Sequence, residues 1–104
     1  MHELVKAKRH EINELCRTLG VRRLDLFGSA VGDSFGFDIA TSDVDVLVEF
    51  DHGPDFDYFG TYFALKEGLE KILGRHVDVV SGSSIRNPYF RRRVMETKEM
   101  LYAA

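Results

Sequence analysis

Two aspartates, Asp43 and Asp45, stand two residues apart in Ser42-Asp43-Val44-Asp45-Val46-Leu47-Val48-Glu49-Phe50, where the even positions from Val44 onward are all apolar. A period of two belongs to a strand, so Asp43, Asp45, Leu47 and Glu49 project from one face. Carboxylates at that spacing have Cα atoms about 6–7 Å apart. Their repulsion raises at least one pKa unless a cation sits between them. A divalent metal is the economical remedy. Mg²⁺ takes one or two protein carboxylates and completes its octahedron with water and substrate phosphate oxygens, which points to nucleotide chemistry. Upstream, Leu26-Phe27-Gly28-Ser29 reads as a strand end running into a tight turn or helix. Backbone N–H groups at such a junction form an anion site. Gly28 lets a phosphate approach the backbone, and the Ser29 hydroxyl can add a hydrogen bond.

These residues need a sheet to hold them. Val5, Ile12, Leu15 and Leu19 recur at helical spacing and predict a helix over residues 3–19, ended by Gly20. Residues 21–27 read as a short strand with Leu24 and Leu26 on one side and Arg23 and Asp25 on the other, delivering Gly28-Ser29 to the sheet edge. Residues 30–42, rich in Gly, Asp, Ser and Phe, read as an active-site loop in which Phe35 and Phe37 either stack on a base or, as we expect, pack the loop. Gly53-Pro54 marks a turn over residues 51–55. A helix over residues 57–73 follows, with a buried stripe of Tyr58, Tyr62, Leu65, Leu69 and Ile72, and Gly74 ends it. Gly60 and Gly68 inside it each cost about 1 kcal/mol relative to alanine, so close packing against a neighbour is expected there.

Residues 77–80 read as a strand with Asp78 and Val80 on one face. A charge in so apolar a strand either sits at an exposed edge or joins Asp43 and Asp45 at metal. Asn87 and Pro88 supply an N-cap and an N1 proline for a last helix, with Phe90, Val94, Thr97 and Leu101 as its inner stripe. Arg91, Arg92 and Arg93 step around that helix by 100° and cannot all address one ligand. They read as a solvated face from which one arginine meets phosphate or a partner.

The 104 residues suit one domain spanning the whole chain, and 44% hydrophobic with 30% charged residues is an ordinary globular composition. A net charge of −3 argues against general nucleic-acid binding. Cys16 is alone, which excludes an internal disulfide or a cysteine zinc site and fits a reducing cytoplasm; its expected role is a small buried hydrophobe. No signal-peptide core or membrane-length apolar run occurs in the sequence. A soluble cytoplasmic protein is the expectation.

Gly28-Ser29, a spacer, Asp43-x-Asp45, then Leu-Gly-Arg-His-Val-Asp78-Val-Val and Ile-Arg-Asn-Pro-Tyr-Phe-Arg-Arg-Arg-Val, taken together, resemble the minimal nucleotidyltransferases (MNT) of the polymerase-beta-type superfamily. The resemblance runs in order over about residues 21–102. It implies an α/β (α+β-type) mixed sheet of three or four short strands flanked by about four helices. It also implies two Mg²⁺ ions bridging an NTP on Asp43 and Asp45. Asp78 completes the second metal site and helps remove a hydroxyl proton, and Gly28 and Ser29 grip the leaving pyrophosphate. Proteins of this type and size look like antitoxins of HEPN/MNT toxin–antitoxin modules that move AMP from ATP to a tyrosine hydroxyl of a HEPN ribonuclease toxin. Association as a homo- or hetero-oligomer is compatible with that role. Family members often carry an arginine just after Gly-Ser, where this chain has Ala30 and Val31.

Three further readings compete. A binding-only antitoxin would mask its partner and leave the metal site vestigial. A sugar-nucleotide glycosyltransferase also uses Asp-x-Asp but needs a larger nucleotide-binding sheet. An EF-hand starting at Asp43 would require Gly at Val48 and Glu at Pro54. A Walker A loop is excluded by the absence of Gly-Lys-Ser/Thr. His2, His10, His52 and His76 are scattered and expected at the surface, with no catalytic role.

Overall fold

The computed structural model describes residues 3–28, 43–51, 53, 56–82 and 85–104. Helices α1 (Glu3–Ala7) and α2 (Arg9–Leu19) lead into strand β1 (Val21–Phe27). Then come β2 (Val44–Phe50), α3 (Tyr58–Leu73), β3 (Val77–Ser81), α4 (Pro88–Thr97) and β4 (Glu99–Ala103). The strands form one mixed sheet in the order β3-β2-β1-β4, with β2 and β3 parallel and the other pairs antiparallel. A parallel pair needs a crossover, and α3 provides it. This is the expected α/β mixed architecture of four strands and four helices.

Alternation divides the sheet into two faces. Leu24 and Leu26 of β1, Val44, Val46, Val48 and Phe50 of β2, and Val77 and Val79 of β3 pack against Val5, Ile12 and Cys16 of the first two helices and Leu65 and Leu69 of α3. On the opposite face a smaller cluster joins Phe27, Leu47 and Ile85 to Val94 of α4. The two glycines of α3 have separate causes. A Cβ on Gly68 would lie 2.7 Å from Leu15 Cδ2, so α2 and α3 approach too closely for a side chain there. A Cβ on Gly60 would collide with the carboxylate of Asp57, the N-cap that accepts the Gly60 N–H at 3.0 Å.

Two expectations need correction. The helix over residues 3–19 is two helices, because Lys8 takes φ −105° and ψ 6° and interrupts the regular turn. Of the stripe expected on the last helix only Val94 is buried, Phe90 and Thr97 being exposed, and Leu101 belongs to a strand instead. Lys98 turns extended at ψ 148°, and the chain then pairs Met100 with Asp25 and Tyr102 with Leu24 on β1. Leu101 enters the larger core from this strand. The pairing covers a β1 edge that would otherwise expose unpaired backbone groups.

The other edge strand, β3, is covered by side chains. Tyr62, Lys66 and Glu70 repeat every four residues along α3. The Tyr62 hydroxyl donates to the Val79 carbonyl at 2.9 Å, Lys66 Nζ donates to the Val77 carbonyl at 2.8 Å, and the Val77 N–H donates to Glu70 Oε2 at 3.0 Å. Backbone groups at an edge carry a desolvation cost if left unmade. This ladder removes that cost and fixes the strand that carries Asp78.

Candidate active site

Register assembles the site. Asp45 is paired with Phe27 on one side and with Asp78 on the other, so the end of β1 and the two aspartates cross the sheet in one row. Asp43 sits just before β2. Its carboxylate lies within 4.8 Å of ligand atoms of Asp78 and His76. The three aspartates expected to act together are therefore brought together, and Asp78 is both at the exposed edge and beside the Asp-x-Asp pair.

Glycine is required at position 28 for two reasons. Its φ is +75°, which L side chains rarely adopt, and a Cβ there would stand 2.5 Å from Asp45 Oδ2. The turn thus presses its backbone against the Asp45 carboxylate. Ser29 lies outside the described residues, as do residues 30–42 with Phe35 and Phe37, Pro54 and Asp55 of the expected turn, and His2 and His52.

Burial pushes the Asp45 carboxyl up from its ordinary 3.8 to about 6, helped by the charge and hydrogen bond of Asp78 and by the charge of Asp43; His76 acts in the opposite sense. Hard carboxylate oxygens converging where ionisation is resisted are the donor set that a divalent cation relieves. The residues fit Mg²⁺.

His76 is at the surface as expected, but it stands within the acidic cluster. Its Nε2 is 3.0 Å from Asp78 Oδ1 and its Nδ1 is 2.9 Å from Glu70 Oε2. The signal was available. His76 precedes Asp78 by two, the same spacing that places Asp43 beside Asp45.

A cavity of about 700 Å³ opens beside Gly28, Asp45 and Asp78, lined also by Phe27, Tyr62, Lys66, Phe90 and Arg93. Phe27 and Phe90 meet edge to face with centroids 6.3 Å apart, and Phe90 remains half exposed. The three arginines separate as the helical step requires. Arg91 Nη1 donates to the Gly82 carbonyl at 2.7 Å and Arg92 pairs with Glu96 at 3.2 Å, while Arg93 alone of the three lines the cavity. Sequence alone had not singled out Arg93.

A mixed sheet that presents a glycine turn against an Asp-x-Asp pair, with a third aspartate in register on the next strand, is the core of a polymerase-beta-like nucleotidyltransferase. Residues 9–101 match the family described as nucleotidyltransferase domain, and the chain belongs to that family. It is 40% identical over 74 residues to the protein adenylyltransferase MntA of Thermococcus cleftensis, covering 71% of this chain and 69% of that protein. The solved structure of a minimal nucleotidyltransferase superposes with a TM-score of 0.75 at 32% identity, covering 95% of each chain. The fold also recurs, with a TM-score of 0.63 at 21% identity, in the complex of a tri-AMPylated Shewanella oneidensis HEPN toxin with its MNT antitoxin, where 95% of this chain covers 72% of the matched chain. Among the described residues, no helix is long and apolar enough to cross a membrane.

Proposed function

We propose that this enzyme is an antitoxin that transfers AMP from ATP to a tyrosine hydroxyl of a HEPN-type ribonuclease toxin. The observation that carries the reading is the convergence of Asp43, Asp45 and Asp78 beside Gly28, at the mouth of a cavity with apolar and cationic walls. The relatives named for protein adenylyltransfer and for a HEPN partner support the choice of substrate and acceptor.

Asp43 and Asp45 would hold two Mg²⁺ ions, with Asp78 completing the second site. Metal bound there would supply positive charge to offset that of the phosphates and of the reacting oxygens. The remaining work is positioning. Gly28, with no side chain, would let a phosphate approach the backbone. Phe90 offers a ring face to the base, and Arg93 supplies the cation that Ala30 and Val31 do not. Asp78 would draw the proton from the acceptor hydroxyl. A phenol of pKa about 10 needs less help to ionise than a ribose hydroxyl. The tyrosine oxygen bonds to the α-phosphorus, the bond to the β-phosphate oxygen breaks, and pyrophosphate leaves.

The test is to capture partners from a host lysate on the full chain, add ATP and Mg²⁺, and record intact masses against an Asp43→Asn control. A partner that gains AMP units only with the wild type supports the reading, and tyrosine-resolved peptide mapping locates the acceptor. A partner that binds both proteins equally and gains no mass overturns it in favour of an antitoxin that acts by masking.

A further inference from the structure

The geometry points to His76 as a metal ligand: its Nε2 joins Asp78 and Asp43 on one divalent cation, with Glu70 fixing the ring from behind. This rests on the nucleotidyltransferase reading for the presence of a metal and adds a nitrogen to its ligand set.

The tautomer follows from Glu70. Its Oε2 accepts from Lys66 Nζ at 2.9 Å and from the Val77 N–H at 3.0 Å, and His76 Nδ1 stands 2.9 Å away. An oxygen that already accepts from an ammonium and from a backbone N–H has only lone pairs to offer. Nδ1 therefore carries the proton. In the neutral ring that leaves the Nε2 lone pair aimed at Asp78 Oδ1 across 3.0 Å. A proton on Nε2 would make this contact an ordinary ion pair, and a cation shared by the two atoms satisfies both lone pairs instead.

A divalent cation fits the gap. Ligands at adjacent corners of an octahedron with bonds of about 2.1 Å are about 3.0 Å apart, which is the His76 to Asp78 separation. Asp43 closes the triangle, with all three ligand atoms within 4.8 Å of one another. All three side chains reach solvent, so the other corners remain open to water and phosphate. A carboxylate that accepts the far N–H of a histidine is also the usual support of a ligating imidazole. An imidazole in place of one oxygen favours later first-row divalent ions such as Co²⁺ over Mg²⁺.

The deciding measurement is electron spin-echo modulation of the full chain loaded with Mn²⁺, alone and with ¹⁵N-histidine labelling, alongside calorimetric titrations of Mn²⁺ and Mg²⁺. Nitrogen modulation is expected in the wild type, shifting on ¹⁵N labelling and lost in His76→Gln. That variant should bind Mn²⁺ at least about tenfold more weakly, and Glu70→Gln should weaken it about tenfold with the nitrogen signal retained. Mn²⁺ bound without nitrogen coupling in the wild type overturns the role of His76 and leaves the carboxylate site standing. Failure of the wild type to bind either metal overturns both this inference and the function on which it rests. Labelled wild type decides whether any histidine ligates, and retention of the signal in His2→Gln, His10→Gln and His52→Gln assigns it to His76 even where His76→Gln fails to fold.

Discussion

Replacing Asp45 by asparagine should abolish metal-dependent transfer and at the same time stabilise the metal-free fold. The wild-type carboxyl rises from 3.8 to about 6 on folding, first through burial and then through Asp78 and Asp43. At about 1.36 kcal/mol per pH unit, the rise corresponds to about 3 kcal/mol. Asp45 retains some contact with water, and solvent screening reduces the expected effect to about 1–2 kcal/mol. Asparagine avoids the buried charge and can still donate to Asp78. In a chain of this size the gain corresponds to about 5–10 °C in Tm.

The sign follows from proton binding. Between the unfolded pKa of 3.8 and the folded value of about 6, the native state holds more protons at Asp45 than the unfolded state does. Stability contributed by this group is therefore full below the lower value, falls as pH rises through the window, and stays low above it. Thermal and urea unfolding in EDTA at several pH values would measure the wild type against Asp45→Asn. The two proteins should converge near pH 3.5, and the variant should be the more stable at pH 7.5. Adding Mg²⁺ should raise the wild type more than the variant, which keeps Asp43, Asp78 and His76 but loses one carboxylate of the site. A variant less stable than wild type in EDTA at pH 7.5, or a difference independent of pH, would refute this account of the site.

Gly28→Ala imposes a side chain at φ +75° and a Cβ 2.5 Å from Asp45 Oδ2; urea unfolding should show a loss of about 1–3 kcal/mol, and calorimetry should show weakened Mg²⁺ binding as the carboxylate is displaced. Arg93 has no ion pair among the described residues and lines the cavity, so Arg93→Ala should raise the KM for ATP in a steady-state pyrophosphate-release assay while Tm stays nearly unchanged. Asp25 is 2% exposed and is held by Arg23 Nε at 3.0 Å and Lys98 Nζ at 3.4 Å. Asp25→Ala strands those cations and should cost about 1–3 kcal/mol in urea unfolding, with the metal affinity of Asp43, Asp45 and Asp78 retained.

Local pattern made much of this molecule readable in advance. The alternation of β1 and β2 appears directly as residue types, and the helix ends at Gly20 and Gly74 take φ of 71° and 67° because a left-handed cap is what glycine permits. Asn87 accepts the Tyr89 N–H at 2.9 Å and opens α4 as its type and the following proline require. By contrast, β4 has one buried residue, Leu101, and its existence depends on the free edge of β1, which no window of sequence contains. The site divides along the same line. The relation of Asp43 to Asp45 is intrastrand and legible, whereas Asp78 reaches Asp45 through the parallel register of β2 with β3. A slip of one residue would send Asp78 to the opposite face. That register is held partly by the Tyr62, Lys66 and Glu70 ladder, whose spacing of four looked only like part of an amphipathic helix. The same Glu70 orients His76. The contacts that secure β3 and the orientation of His76 beside Asp78 are thus joined through a single carboxylate oxygen, so the geometry of the acidic cluster and edge-strand protection are two consequences of one interaction.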